Sequence, residues 1–233
     1  MTDKSRAGAS LGYSGQTYWD EYHGEAHKPG IIGGVKLEVW LECFTPLLRS
    51  AGVESLLDLG CGSGRDAVEL AAEGYRVAGC DISPVAIERA RALVQERGLK
   101  ADFLAHDIAT SLPYDNDAFE AVICNLTLHM FSTDVARDIV AEVRRCLAPG
   151  GLFLFHVNST EDLPYRRELQ PPVVEVGNGM YCLGQGQTMR FFSESDCRDL
   201  LSDWQLLNLE PVCMLRPDGA VQKCAWRCAA VVV

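Results

Sequence analysis

Between residues 53 and 157 the chain alternates short apolar runs with longer stretches in which apolar residues return every three or four positions, the marks of buried strands and of one-sided helices. Ser55-Leu56-Leu57-Asp58-Leu59 predicts a first strand, and a helix over 65–73 follows, burying Ala67, Leu70 and Ala71 and stopped by Gly74. A second strand over 76–80 ends at Asp81, after which Ser83 and Pro84 supply an N-cap and a first helical residue for a helix over 85–97. A third strand is expected over 101–106, and the near-continuous apolar run 119–125 predicts a fourth that is covered on both faces. Val135, Ile139, Val143 and Leu147 form the stripe of a helix over 134–147, and Ala148-Pro149-Gly150-Gly151 turns the chain into a fifth strand over 152–157.

Outside this block the pattern is less regular. Val35, Val39, Trp40, Cys43, Phe44, Leu47 and Leu48 predict one helix over 35–50, with Pro46 kinking or shortening its last turn. Residues 158–190 hold neither period and contain Pro164, Pro171, Pro172, Gly177, Gly179, Gly184 and Gly186, so a long functional or mobile loop is expected. The region 158–192 is assigned to the substrate side. Ser193-Glu194-Ser195-Asp196 opens a short helix in the manner of a capping box, and 204–214 and 221–233 flank Pro217-Asp218-Gly219 as a terminal antiparallel hairpin. Five alternating strands predict an α/β fold, a doubly wound and mainly parallel sheet with right-handed crossovers, whose ligand lies beyond the strands' carboxyl ends.

Composition narrows the possibilities. The 233 residues, 48% hydrophobic and 23% charged, suffice for one core, taken as a single domain over 16–233. Residues 1–15 are rich in Gly and Ser and predict a disordered tail. In 16–34, Tyr18, Trp19, Tyr22, His23 and His27 lie between flexible ends; they read as a lid over a site or as a helix anchored on the core, and both can hold. A net charge of −11 with no basic run argues against a nucleic-acid partner and favours a small molecule. No apolar run approaches a membrane span and the first ten residues lack a signal-peptide core, so a cytoplasmic protein is expected. The ten cysteines, among them Cys80, Cys124, Cys146, Cys213 and Cys228, lack paired spacing and are expected to be reduced; no spacing points to a metal.

The candidate chemistry sits at the predicted strand ends. Gly60-x-Gly62-x-Gly64 between strand and helix brings backbone N–H groups and a helix N-terminus close to a ligand. The third glycine comes one residue earlier than a dinucleotide fingerprint requires, and Asp58 sits inside the end of the strand. Asp81 can accept from two ribose hydroxyls, Ile82 can pack on an adenine face, and Asp107 can accept from an adenine amino group.

In order and spacing, Leu57 to Gly64, Asp81-Ile82-Ser83, His106-Asp107-Ile108, Asn125-Leu126-Thr127-Leu128-His129 and Ala148 to Gly151 resemble the motifs of class I S-adenosylmethionine-dependent methyltransferases over about 53–157. The resemblance implies a seven-stranded Rossmann-like sheet whose last strand is antiparallel. It also implies S-adenosylmethionine as cofactor, leaving as S-adenosylhomocysteine. The glycine turn with Asp58, Gly60, Cys61, Gly62 and Gly64 would line its methionine part, Asp81 its ribose, Ile82 and Ile108 its adenine, Asp107 the adenine amino group, and Asn125 the sulfonium end. Asn125-Leu126-Thr127-Leu128 replaces the Asn-Pro-Pro-Tyr of methylases acting on base or amide nitrogens. The chain is more similar to small-molecule methyltransferases of the thiopurine and tellurite-resistance group.

Methyl transfer is an in-line displacement that depends on alignment, and a protonated acceptor also needs a base. His129 is the first candidate for that base, against a role in merely shaping the pocket. Tyr18, Trp19, Tyr22 and His23 on the amino-terminal segment, and Arg190 with Phe191 from the long loop, are candidates for the acceptor side. Two alternatives are a protein or peptide methyltransferase and a non-catalytic cofactor-binding protein.

Overall fold

In the computed structural model of the chain, residues 15–24, 31–32, 35–36, 39–167, 173–182, 188–215, 219 and 221–233 are described. The expected tail, apart from Gly15, falls outside them, as do His27, Pro171 and Pro172.

The predicted strands appear as β1 (Ser55–Leu59), β2 (Arg76–Asp81), β3 (Asp102–Ala105), β4 (Phe119–Asn125) and β5 (Leu147–Asn158). Three short strands follow, β6 (Val174–Gly177), β7 (Met180–Cys182) and β8 (Thr188–Arg190), and then the hairpin of β9 (Gln205–Leu215) and β10 (Val221–Val231). The helices are α1 (Gln16–Gly24), α2 (Val39–Glu42), α3 (Thr45–Ser50), α4 (Arg65–Ala72), α5 (Pro84–Glu96), α6 (Thr133–Cys146), α7 (Leu163–Arg167) and α8 (Glu194–Leu200).

The large sheet has seven strands in the order β9-β10-β5-β4-β1-β2-β3. Parallel pairing joins β3 through β5, and β10 runs antiparallel to both β5 and β9. The expected doubly wound sheet with an antiparallel last strand is therefore observed. Alternate residues feed two cores. On one face Leu56, Ile123 and Leu154 pack with Leu48, Val68 and Ile87; on the other Leu57, Phe153 and Phe155 pack with Ile139, Val143 and Trp226.

Local chemistry explains the boundaries. Ser83 accepts the Ala86 N–H at 3.1 Å and caps α5, while Ser193 and Asp196 form the expected capping box at α8.

Three expectations are corrected. The single helix over 35–50 is broken: Val35–Lys36 pairs antiparallel with Ile31–Ile32, and the helical part divides into α2 and α3. Pro46 lies in the first turn of α3 rather than its last, where a missing N–H costs nothing, so the chain restarts there instead of bending. The region 158–190 is not an unstructured loop, since it contains α7 and a three-stranded antiparallel sheet, β8-β7-β6. Its hairpin turns at Asn178-Gly179, both with positive φ (53° and 70°), the Asn-Gly signal of a tight two-residue turn. Cys213 is not a reduced thiol. It stands opposite Cys224 in the β9–β10 register, with Cα atoms 4.3 Å apart, and the two form a disulfide. Cys80, Cys124, Cys146 and Cys228 are free and buried as expected.

Gly64 gives one test of this architecture. Its φ is +78°, and an added Cβ would lie 2.6 Å from the Ala90 Cβ. A left-handed side chain and overpacking cost about 1–2 and 1–3 kcal/mol respectively, so Gly64→Ala is expected to lose about 2–5 kcal/mol in urea unfolding. An unchanged midpoint would contradict the close packing of α5 on this turn.

Candidate functional site

The sheet order reverses between β1 and β4, so the loops at their carboxyl ends diverge and leave a crevice. Both loops are built for close approach. Gly60, Gly62 and Gly64 all have positive φ, and a Cβ on Gly60 would come within 2.5 Å of the Thr127 Oγ1 at the end of β4. Leu126, also at positive φ (55°), turns the chain immediately after Asn125.

Asp81, at the end of β2, is fixed through both oxygens. The Gly62 N–H donates to Oδ2 and the Ser83 N–H donates to Oδ1, each at 2.9 Å. These bonds set the glycine turn and the carboxylate in one geometry. Asp58 is fully buried one strand away, and its Oδ2 has no hydrogen-bond partner among the described residues. Burial pushes the Asp58 carboxyl up, and the nearby Asp66 and Asp81 raise it further. Burial also raises Asp66 and Asp81; a hydrogen bond from Asn125 Nδ2 to Asp66 Oδ2 at 2.7 Å opposes the shift in the first, the Ser83 and Gly62 amides in the second. Asn125 keeps its own Oδ1 without a partner among the described residues. Three carboxylates and an orphan amide oxygen thus converge at the switch point. Acceptors in excess of donors favour a ligand that brings positive charge or several N–H and O–H groups.

The helix α1 crosses this site. Asp20 accepts from the Ser83 hydroxyl, and His23 is positioned so that a Cβ on Gly62 would lie 3.4 Å from its Cε1. Tyr18, Trp19, Tyr22 and His23 pack on one another, with Tyr18 and Trp19 edge to face at 5.1 Å and Trp19 and Tyr22 at 5.5 Å; Trp19 also touches the core. The segment therefore lies at the site and is anchored on the core.

The remaining predicted residues are placed as follows. Cys61 is buried, and burial holds its thiol protonated. Ile82 is half-buried beside Asp81. Asp107 accepts the Ala109 N–H at 2.9 Å in the turn after β3, and Ile108 is buried in the core. His129 is buried in a single 3-10 turn after β4, and burial, then the Lys223 and Arg166 charges, hold its imidazole neutral. Arg190 and Phe191 are not brought to the crevice by any described contact. The Arg190 guanidinium donates to Asp196 and lies 4.3 Å from the Phe192 ring centre, while Phe191 packs edge to face on Tyr181. His156, buried in the core, accepts from Arg227 Nε at 3.2 Å and meets the Trp40 ring edge to face at 4.1 Å.

Sequence reasoning missed Asp66 and Thr127. An acid in the first turn of a helix is ordinary at that position, which hides Asp66, and only the fold brings Thr127 against Gly60.

Residues 56–151 match the family model described as a methyltransferase domain. An uncharacterized methyltransferase of Synechocystis is 35% identical over 100 residues, which is 43% of this chain and 45% of that protein. The ribosomal RNA small subunit methyltransferase C of Salmonella arizonae is 28% identical over 166 residues, 67% of this chain and 47% of that protein. The chain spans about half the length of these relatives. Among solved structures, the 1,6-didemethyltoxoflavin-N1-methyltransferase of Burkholderia thailandensis, with bound 1,6-didemethyltoxoflavin and S-adenosylhomocysteine, aligns with a TM-score of 0.62 at 21% identity, covering 82% of this chain and 77% of that one. Over 56–151 the chain is thus similar to methyltransferase domains, and the Burkholderia structure holds S-adenosylhomocysteine, the product left by S-adenosylmethionine. The donor set fits that cofactor: it is a sulfonium cation with an amino group, a ribose diol and an adenine amine, and the crevice offers the acidic and amide oxygens of Asp58, Asp81 and Asn125 as acceptors.

Asp58 offers a test. Its raised folded-state pKa means that ionisation opposes folding, so its contribution is full below the unfolded value near 3.8 and is lost as pH rises through the folded value. Asp58→Asn is therefore expected to stabilise the cofactor-free protein at pH 7, with the gain fading in acid. Thermal melts from pH 4 to 8 check this, and a destabilised variant at pH 7 would refute the repulsion.

Proposed function

We propose that this chain transfers the methyl group of S-adenosylmethionine to a small-molecule acceptor by in-line displacement. One observation carries the reading: Asp81, held through both oxygens by the Gly62 and Ser83 amides, stands beside buried Asp58 at the switch point of a methyltransferase domain. When bound, the cofactor supplies an electrophilic methyl group on a sulfonium. The residues do the rest. Asp81 binds the ribose diol, Ile82, Asp107 and Ile108 take the adenine end, and the turn with Asp58, Gly60, Cys61, Gly62 and Gly64 takes the methionine end. Asn125, fixed by its bond to Asp66, faces the transferring group.

A small acceptor is favoured over a macromolecule by α1, which lies against the glycine turn at His23 and is tied to the Ser83 cap of α5 through Asp20, serving as a lid. The net charge of −11 opposes a nucleic-acid acceptor, although one relative acts on ribosomal RNA. The small acceptor of the Burkholderia enzyme supports the same reading. Among the described residues, no helix is long and apolar enough to cross a membrane, in keeping with a cytoplasmic setting.

His129 is the base on this reading. Its Nδ1 has no hydrogen-bond partner among the described residues, and its depressed pKa leaves it unprotonated over the working range. A base so weakened suits an acceptor that is itself acidic.

Three measurements test the proposal. Labelled cofactor with a panel of small hydroxyl, thiol and amine acceptors, a peptide pool and a ribosomal RNA fragment should give transfer to a small molecule, and tight cofactor binding without any turnover would overturn the catalytic reading. Asp81→Ala should weaken S-adenosylhomocysteine binding about 100-fold, the loss of two charge-assisted hydrogen bonds; unchanged affinity would remove the ribose assignment. For His129→Gln, kcat should fall about 10²-fold or more while the cofactor KM holds, and an unchanged kcat across pH 6 to 9 would remove it as the base.

A further inference from the structure

A second polar cluster occupies the same edge of the sheet beyond β5. Asn158 ends β5 opposite Ala225 of β10, so Lys223, two residues further out, lies on the same face of the sheet. Both are buried, with Lys223 6% and Asn158 1% exposed, and His129 lies near enough to Lys223 and Arg166 for their charges to add to burial in holding it neutral.

The charges in this cluster do not balance. Asp162 is wholly buried, and both of its oxygens are committed: Oδ2 accepts from Arg166 Nε at 2.7 Å and Oδ1 from the Cys224 N–H at 2.8 Å. Lys223 forms no ion pair among the described residues and senses Asp162 only at longer range, against repulsion from Arg166. Burial, then Arg166, lower its ammonium to about 8, against the pull of Asp162. Two cations therefore face one occupied carboxylate, in a protein whose net charge is −11. His129 Nδ1 and Asn158 Oδ1, both buried, have no hydrogen-bond partner among the described residues. A buried ammonium lacking a counter-ion beside orphaned polar atoms is costly unless a ligand completes it.

We propose that Lys223, Arg166, Asn158 and His129 form the subsite for a carboxylate-bearing acceptor, with Lys223 as its counter-ion and the orphan atoms of Asn158 and His129 meeting the acceptor's hydroxyl or amino group. The substrate class is a small hydroxy- or amino-carboxylic acid. This rests on the reading of this edge as the place of methyl transfer.

The test uses the full chain saturated with S-adenosylhomocysteine and titrated in a calorimeter with 4-hydroxybenzoate and with its neutral counterpart 4-hydroxybenzamide. The carboxylate should bind about tenfold or more tightly than the amide, as expected for a charge-assisted hydrogen bond. Lys223→Met should bring the two within about twofold of each other, and Lys223→Arg should keep most of the preference, both with unaltered cofactor affinity. If the methionine variant fails to bind cofactor, Arg166→Gln, which frees Asp162 to neutralise Lys223, should abolish the preference in its place. Equal binding by the wild type, no binding of the carboxylate, or a preference that survives these substitutions would overturn the subsite. Carboxylate preference without methyl transfer to any acceptor would leave the subsite standing and remove the catalytic reading. Transfer to neutral acceptors without carboxylate preference would do the reverse.

Discussion

Three carboxylates, Asp58, Asp66 and Asp81, are drawn into one buried region, and much of the surrounding structure serves to hold them there. Like charges in a low dielectric repel and lose hydration at once. The chain offsets this chiefly with fixed dipoles: two backbone amides on Asp81, the Asn125 amide on Asp66, and the Ala67 N–H on Asp58, with Arg65 and His23 adding to them at Asp66 and Asp81. Such partners demand exact backbone placement. The glycines accordingly take positive φ, Gly60 has no room for a side chain against Thr127, and Leu126 is held in a left-handed conformation just past Asn125. The strain at one edge follows from the decision to bury negative charge there.

The two ends of that edge differ in sign. Around β1 and β2 acids prevail, while beyond β5 and β10 Lys223 and Arg166 outnumber Asp162. His129 lies on the positive side, where the same two cations that keep its proton off would welcome an anion. Charge thus changes sign along this edge of the sheet, in keeping with a cationic donor and the anionic acceptor proposed above. A surface hollow at the opposite edge, lined by Ser55, Arg76 and Asp102 at the strands' amino ends, has none of this organisation.

How far these features were legible in the sequence depended on the range of the interaction. Periodicity located β1 to β5 and the final hairpin because each is fixed by alternation within a few residues, and the strand-end acids followed from them. Asp81 could be singled out for the same reason. Asp66 could not, since its role comes from Asn125, 59 residues away. Pro46 was correctly read as a disruption but assigned to the wrong end of a helix, because a proline stops one helix and starts the next equally well. Asn178-Gly179 was a local turn signal overlooked among neighbouring glycines and prolines. Cys213 and Cys224 depended on the register of β9 with β10, which no spacing reveals. Lys223 read as one charge in an otherwise ordinary strand, and its burial emerges only when β10 lies against β5.

The position of β10 has a consequence for the order in which the molecule can be assembled. The last strand of the sequence lies inside the sheet, with β5 on one side and β9 on the other. During synthesis β9 leaves the ribosome with no free strand to join, since its only neighbour in the sheet is still unmade. The parallel block from β3 to β5 can form early, but β5 keeps an open edge until residues 221–231 arrive and close it from a distance of more than sixty residues along the chain. Completion of the sheet is thereby deferred until β10 has been made, and the positive cluster, which depends on Lys223, forms only with it.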